Sequence, residues 1–472
     1  MPCSPYASRL ALLLAALALG ACKPAPVAEP GEELSGGETT IFRSDRLAFS
    51  LPANNLSPQK RLDFSVGDSF FTSPWVMAPA TTTARDGLGP LYNTAACQNC
   101  HVKDGRGHPP EPDASNAVSM LVRLSIPARP GDELTLERQG VVPEPVYGGQ
   151  LQDVAIPGVA PEGKVRIDYQ SVPVTFKDGT VVKLRKPILR ITRLGYGPMH
   201  PDTLYSARVA PPMIGLGLLE AIPEEAILAH ADPDDHDGDG IRGRPNRVWD
   251  DSRQQTVLGR FGWKAGQPTV AQQNAHAFLG DMGLTSDMLP DEDCTESQPA
   301  CLQAPGGGKP EVSQRIFEQV AFYTRSLAVP ARRNVDNGRV LAGKQLFNEA
   351  GCAGCHVAKF VTGSGDQVSG QEVAGQTIRP YTDLLLHDMG DGLADNRPEF
   401  QAGGRDWRTP PLWGIGLTEV VNGHTQYLHD GRARNLLEAV LWHGGEAEAA
   451  RQRVLAFDAG ERSALLQFLN SL

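Results

Sequence analysis

The chain has 472 residues, enough for two to four domains with a sizeable buried core. Only 40% of them are hydrophobic and 6% aromatic, against 50 Gly and 38 Pro; this predicts many loops and short elements, and a core that a bound apolar group would help to fill. The formal net charge of -11 excludes nucleic acid and anionic membrane surfaces as natural partners and leaves basic proteins open.

Residues 1–22 carry one early charge, Arg9, then the apolar run LALLLAALAL, too short to span a bilayer, and the stretch LGAC at 19–22. This is the layout of a secretory signal peptide ending in a bacterial lipobox, which would leave Cys22 as the lipidated N-terminus. Lys23 stands where an inner-membrane retention signal has Asp, so the expectation is an outer-membrane anchor with the body in the periplasm. KPAPVAEPGEELSGGETT, residues 23–40, reads as a solvated tether, taken as far as residue 60.

The N-terminal domain is expected over 61–310. It opens on CQNCH at 97–101, and the same pattern returns as CAGCH at 352–356. Two thiols one turn apart reach the two vinyl groups of one haem, and the adjacent His lies under the iron; the pattern predicts two haems c, on Cys97, Cys100 and His101 and on Cys352, Cys355 and His356. A zinc site would use the same cysteine spacing, but a His directly after each pair in an exported chain fits haem better. A dithiol redox pair is disfavoured because thioether-linked sulfurs leave no thiolate.

Between about 120 and 195 the periodicity turns strand-like, most clearly in VPVTFKDGTVVKLRKP, where Asp178 and Gly179 mark a hairpin turn. This predicts a β insertion in an otherwise helical domain, either a docking surface or a cover for the first haem. Much of the acidity is concentrated in a loop at 232–246: Asp235, Asp237 and Asp239 take the first, third and fifth positions of an EF-hand-like series, Gly240 the turn, Ile241 a carbonyl position and Asn246 the twelfth. Hard oxygens at this spacing suit Ca²⁺, with Asp232 or Asp234 in reserve; a solvated acidic loop is the plainer alternative. Cys294 and Cys301 are spaced to close a small structural disulfide loop in an oxidising compartment.

QAPGGGKPE at 303–311 reads as a linker, and a C-terminal cytochrome c domain is expected over 311–472. Its helices are marked by Val312, Ile316, Val320 and Leu327, by Val340, Leu341, Leu346 and Phe347, and by a final helix opened by a capping box of Asp458 and Glu461. The fold class expected is mainly α, with two cytochrome c-like haem domains and the β insertion in the first.

PPMIGLGL at 211–218 and PPLWGIGL at 410–417 agree at five of eight positions. Each follows a haem motif and precedes a helix, and those helices end in AILAH at His230 and AVLWH at His443, the order expected of a duplicated module. The segments RDGLGPLYNTAACQNCHVKDGRG, RVAPPMIGLGLLEAIPE, DPDDHDGDGIRGRPN, RFGWKAGQPT, DLLLHDMGDGLAD and RTPPLWGIGL through YLHDGRA to WHGGEA resemble the bacterial di-haem oxidoreductases, a family also described as peroxidases or thiol oxidoreductases. More distantly, the C-terminal half is similar to bacterial di-haem cytochrome c peroxidases and to the di-haem enzyme that matures tryptophan tryptophylquinone.

In those relatives the position matching His443 carries the sixth ligand of the second haem. The resemblance therefore implies His443 as distal ligand there, with Met389 as rival and a lower potential than His/Met ligation would give. His230 falls over the first haem by the repeat, as a ligand or as a proton-transferring base, with a purely structural role the alternative and His108 and His200 as weaker substitutes. Arg208 and Arg408 are placed either against haem propionates or at an ordinary surface. The implied activity is peroxidase-like: electrons from a small cytochrome c or cupredoxin pass from the second haem to the first and reduce hydrogen peroxide, with calcium between the haem domains. The alternatives are an electron-transfer lipoprotein without peroxidase activity and a di-haem oxidase of a protein or organic substrate.

Overall fold

In a computed structural model the structure describes residues 27–111, 114, 116–365 and 368–472; the signal and lipidation readings, Cys22 included, lie outside them. The elements that position the site are helices α1 (Pro58–Thr72), α2 (Cys97–Cys100), α3 (Val270–Met282), α4 (Gln314–Ser326), α5 (Gly338–Glu349), α6 (Leu436–Leu441), α7 (Glu448–Leu455) and α8 (Ala459–Ser471). With them go strands β1 (Met120–Ser125), β2 (Lys164–Thr175), β3 (Val181–Thr192), β4 (Leu204–Val209), β5 (Leu386–Asp388) and β6 (Asp406–Arg408).

Two modules follow one plan. In the first, α1 begins at Ser57, whose hydroxyl accepts from the Lys60 N–H, with Pro58 preset for the first turn. It crosses α4 where Gly67 lies against the Gln319 carbonyl; a Cβ there would come within 2.3 Å of that oxygen. One turn on, Phe71 meets Tyr323 of α4 at 5.1 Å between ring centroids and faces His101 at 6.3 Å. In the second, Gly343 of α5 takes the same crossing, where a Cβ would come within 2.0 Å of the Ala464 carbonyl oxygen of α8. One turn on, Phe347 meets Phe468 at 5.1 Å and faces His356 at 6.2 Å. The capping box of Asp458 and Glu461 opens α8. Because α4 packs on α1, it completes the first module; the boundary expected at residue 311 falls after α4.

The chain is mixed helix and sheet rather than mainly α. Its strands form two-stranded antiparallel ribbons in both modules: β1 with β4, β2 with β3, β5 with β6 and others of two to four residues. Most are too short to leave an alternating pattern in the sequence. The long hairpin β2–β3 turns at Asp178 and Gly179 and is neither free nor confined to its own module. Its tip is fastened to the second: Phe176 is buried under the Arg462 guanidinium at 4.4 Å, Asp178 pairs with Arg462 at 2.7 Å, and the Lys177 N–H reaches the Leu455 carbonyl at 2.9 Å. One apolar cluster accordingly runs from Met120, Phe176 and Trp263 into Phe347, Trp442 and Phe468.

The segment expected as a tether is packed from residue 32 onward in many places. Glu32 is 1% exposed and bonds both Arg332 and Lys344, Ile41 bridges to Pro330, and Ala53 N–H reaches the Ser326 carbonyl at 2.8 Å. Its polar composition hides this because the buried polar groups are satisfied within the fold, Glu32 by its ion pairs and the Thr39 and Thr40 hydroxyls by the Gly36 backbone. Burial pushes the Glu32 carboxyl up, but the Lys344 hydrogen bond, the Glu29 N–H and the charges of Arg332 and Lys344 outweigh it and hold it below the usual range. A carboxyl lowered in the folded state contributes stability above its unfolded value of about 4.3, lost as pH falls through the folded one. Glu32→Gln is expected to destabilise by about 3 kcal/mol at pH 7, by leaving Arg332 without its partner, and to flatten the acid limb of stability in urea titrations. A variant with wild-type stability at pH 7 would contradict this.

Candidate functional site

One cavity of about 1010 Å³ runs through both modules and is lined by both Cys-x-x-Cys-His motifs; a single small-ligand pocket occupies roughly 300–1,000 Å³. In the first module α2 presents Cys97 and Cys100, and His101 donates from Nδ1 to the Pro211 carbonyl at 2.8 Å. In the second, Cys352 opens a short 3₁₀ turn that Cys355 closes as its C-cap, and His356 donates from Nδ1 to the Tyr381 carbonyl at 2.9 Å. Each imidazole is thereby turned with Nε2 left over, the tautomer a metal-binding histidine takes when a carbonyl orients it. Burial lowers both to about 4, so both are neutral at pH 7. Burial pushes Cys97 and Cys352 up to about 12, the reverse of a redox-reactive thiolate.

His443 joins them. It lines the cavity, donates from Nδ1 to the Ala439 carbonyl at 2.7 Å, lies close enough to His356 to depress its basicity, and is itself lowered by burial. Three imidazoles thus share one orientation rule. Met389 also lines the cavity, and its carbonyl abuts Gly444. Beside them His387 is buried between the Asp383 and Glu446 carboxylates at 2.8 and 2.7 Å, with Cys355 Sγ 3.6 Å away. Burial alone would lower it, but the two carboxylates hold it well above the usual imidazole range. Sequence reading missed it because Glu446 arrives from 59 positions away.

His230 does not reach the cavity. It is exposed, its ring edge-on to Phe360 at 5.5 Å. The helix that truly repeats α6 is α3. Each is preceded by a loop closed by an isolated antiparallel bridge, Phe261 to Gln267 and Tyr427 to Ala433, and each starts two residues later at a capping side chain, Thr269 and Asn435. By this spacing FGWKAGQPT aligns in register with YLHDGRARN. Eight residues past the cap stands His443 in one copy and Ala277, also on the cavity wall, in the other. The two loops meet: Trp263 contacts its counterpart His429 edge-on at 6.5 Å, and His429 stacks on Trp407 at 3.6 Å and 10°. All three line the cavity, and burial lowers His429 to about 4.

His108 and His200 lie off the cavity, the first beside His424 at 5.1 Å between ring centroids and the second 3.4 Å from Arg129. Arg208 and Arg408 are buried on its wall rather than at a surface, Arg208 paired with Glu399 at 2.8 Å and Arg408 donating to the Gly262 carbonyl at 2.9 Å. Among the buried side-chain donors without a hydrogen-bond partner in the described residues are Arg106 Nε, Arg397 Nε and Arg451 Nε, all on side chains that line the cavity. Such unspent guanidinium N–H donors suit the carboxylates of a large apolar ligand. Thiol pairs, free imidazole nitrogens and unpaired guanidinium donors together fit two haems.

The carboxylates of Asp235, Asp237 and Asp239 can converge within 4.8 Å. Ile241 packs its side chain on Gly354, inside the second motif, and the Arg242 N–H reaches Glu446 at 2.8 Å. Asn246 is not part of that loop: it is 1% exposed, with its amide spent on the Lys264 carbonyl and the Gln401 N–H. Asp232 bonds His236. Cys294 and Cys301 are disulfide-bonded, with Cα atoms 5.8 Å apart.

Two equivalent donor sets open on one shared cavity, an arrangement that suits a pair of like prosthetic groups. Residues 31–472 match the family described as "Di-haem oxidoreductase, putative peroxidase", and the chain belongs to that family. Among solved structures it is similar to hydrazine synthase of Kuenenia stuttgartiensis pressurised with xenon, at 12% identity and a TM-score of 0.32 over 92% of this chain and 97% of that one. No curated protein matches the chain.

Proposed function

We propose that the protein is a periplasmic, lipid-anchored di-haem c peroxidase, in which Cys97 and Cys100 with His101, and Cys352 and Cys355 with His356, each hold one haem. Bound haem would supply one-electron redox chemistry and a place for a small oxidant to react. The carrying observation is the asymmetry of the repeat. His443 closes the second module with a third oriented imidazole, whereas Ala277 at the matching position of the first offers nothing that can bind iron. The closed module is suited to receive electrons from a small cytochrome c or cupredoxin, and the open one to admit hydrogen peroxide. Trp263, His429 and Trp407 fill the space between the modules with neutral aromatic groups.

The test is turnover of the haem-loaded protein with a reduced small cytochrome c and hydrogen peroxide, with Ala277→His as control. The account expects peroxide-dependent oxidation of the donor and its loss in the variant. Equal rates in both would place the reaction elsewhere.

The acidic loop is proposed as a Ca²⁺ site using Asp235, Asp237 and Asp239 and the Ile241 carbonyl. Since the loop abuts Gly354 and Glu446, chelation is expected to lower thermal stability and to perturb the second haem's spectrum more than the first. Indifference of both to chelator would remove calcium from the account.

A further inference from the structure

We propose that His276, oriented by Asp251, is the proton-transfer catalyst over the open face of the first haem; the assignment rests on the peroxidase reading above. α3 presents Ala277 at the position that closes the second module, and one residue earlier on a helix means about 100° around its axis. His276 therefore flanks the open position rather than capping it. Its side chain lines the cavity and is 33% exposed, Nε2 faces the Asp251 carboxylate at 3.6 Å, and Nδ1 makes no hydrogen bond among the described residues. A base backed by a carboxylate, with its second nitrogen free in a cavity, is the arrangement of general acid–base catalysis. The charged groups facing it are Asp251 from the turn after the strand Arg247–Asp250, Asp281 from its own helix and Asp293 from the loop beyond. Arg123 of β1 acts on the last two.

The chemistry balances. One oxygen of hydrogen peroxide gives its proton to His276, which returns it to the other oxygen as the O–O bond breaks. The bonding pair leaves on that second oxygen, which departs as water. The first oxygen becomes water with two further protons and two electrons from the one-electron donor protein.

The experiment is stopped-flow binding of cyanide to the ferric, haem-loaded full-length protein, read together with its resting absorbance spectrum. Cyanide enters from hydrogen cyanide and must also lose a proton. His276→Gln is expected to slow cyanide binding about 10²-fold or more, the span general acid–base catalysis covers, and to leave the resting spectrum unchanged. Asp251→Asn is expected to slow it less, because it removes only the orienting group. An unchanged binding rate, a change of spin state in the resting His276→Gln protein, or a wild-type protein that binds no cyanide would each overturn the assignment. A wild-type protein inert to peroxide whose cyanide rate still depends on His276 would sink the peroxidase reading and leave His276 assigned.

Discussion

In the His443→Ala protein, the second haem is expected to lose its low-spin spectrum, and added imidazole is expected to restore it. The argument is geometric. His101, His356 and His443 each donate from Nδ1 to a backbone carbonyl at 2.7–2.9 Å, which leaves Nε2 of each on the cavity side. A carbonyl that fixes the tautomer of a metal-binding histidine is a recurrent arrangement. Met389 offers no such preorganisation; what touches Gly444 is its backbone carbonyl. Two imidazoles give a lower potential than His/Met ligation, so His443→Met is expected to raise the midpoint of the second haem in a redox titration. An unchanged low-spin spectrum in His443→Ala would transfer the role to Met389.

Lys264→Met is expected to destabilise the protein by about 3–5 kcal/mol, the range for breaking a buried pair from one side. Lys264 is fully buried, and its Nζ reaches the Asp395 carboxylate at 2.8 Å and the carbonyls of Arg397 and Gly403 at 2.7 and 2.8 Å. It belongs to the bridged loop of the first module, and its three acceptors belong to the second. Removing the ammonium takes the counter-charge from a buried carboxylate, which keeps only the Ser206 hydroxyl and the Arg397 N–H as donors, and takes one donor from each of two carbonyls across the junction. Urea titration of the loaded protein measures the loss; a change under 1 kcal/mol would mean that the junction does not depend on this contact.

Both Cys-x-x-Cys-His motifs, the capping box at Asp458, the hairpin turn at Asp178 and Gly179 and the twofold order of segments were legible because each depends on near neighbours in the chain. His443 was legible through the repeat, and His230 was misplaced by it. Counting to the first helix after the Pro-Pro-Gly segment selects Glu224–Leu228, yet the residues that repeat α6 come after the acidic loop and a hairpin. FGWKAGQPT and YLHDGRARN share a bridge and a capping side chain rather than letters, so their equivalence emerges only from backbone geometry. The buried role of Glu32 was hidden because its partner Arg332 lies 300 positions away. The same distance effect concealed His387 and gave Asn246 to a loop it does not join.

The central claim, an open first haem supplied with electrons by a closed second one, is tested most directly by a single mixing experiment. The loaded protein is reduced by one electron and mixed with stoichiometric hydrogen peroxide, with absorbance followed from milliseconds to minutes. The account predicts rapid oxidation of the second haem, fast in wild type and abolished by Ala277→His. No reaction over minutes in the wild-type protein would contradict it.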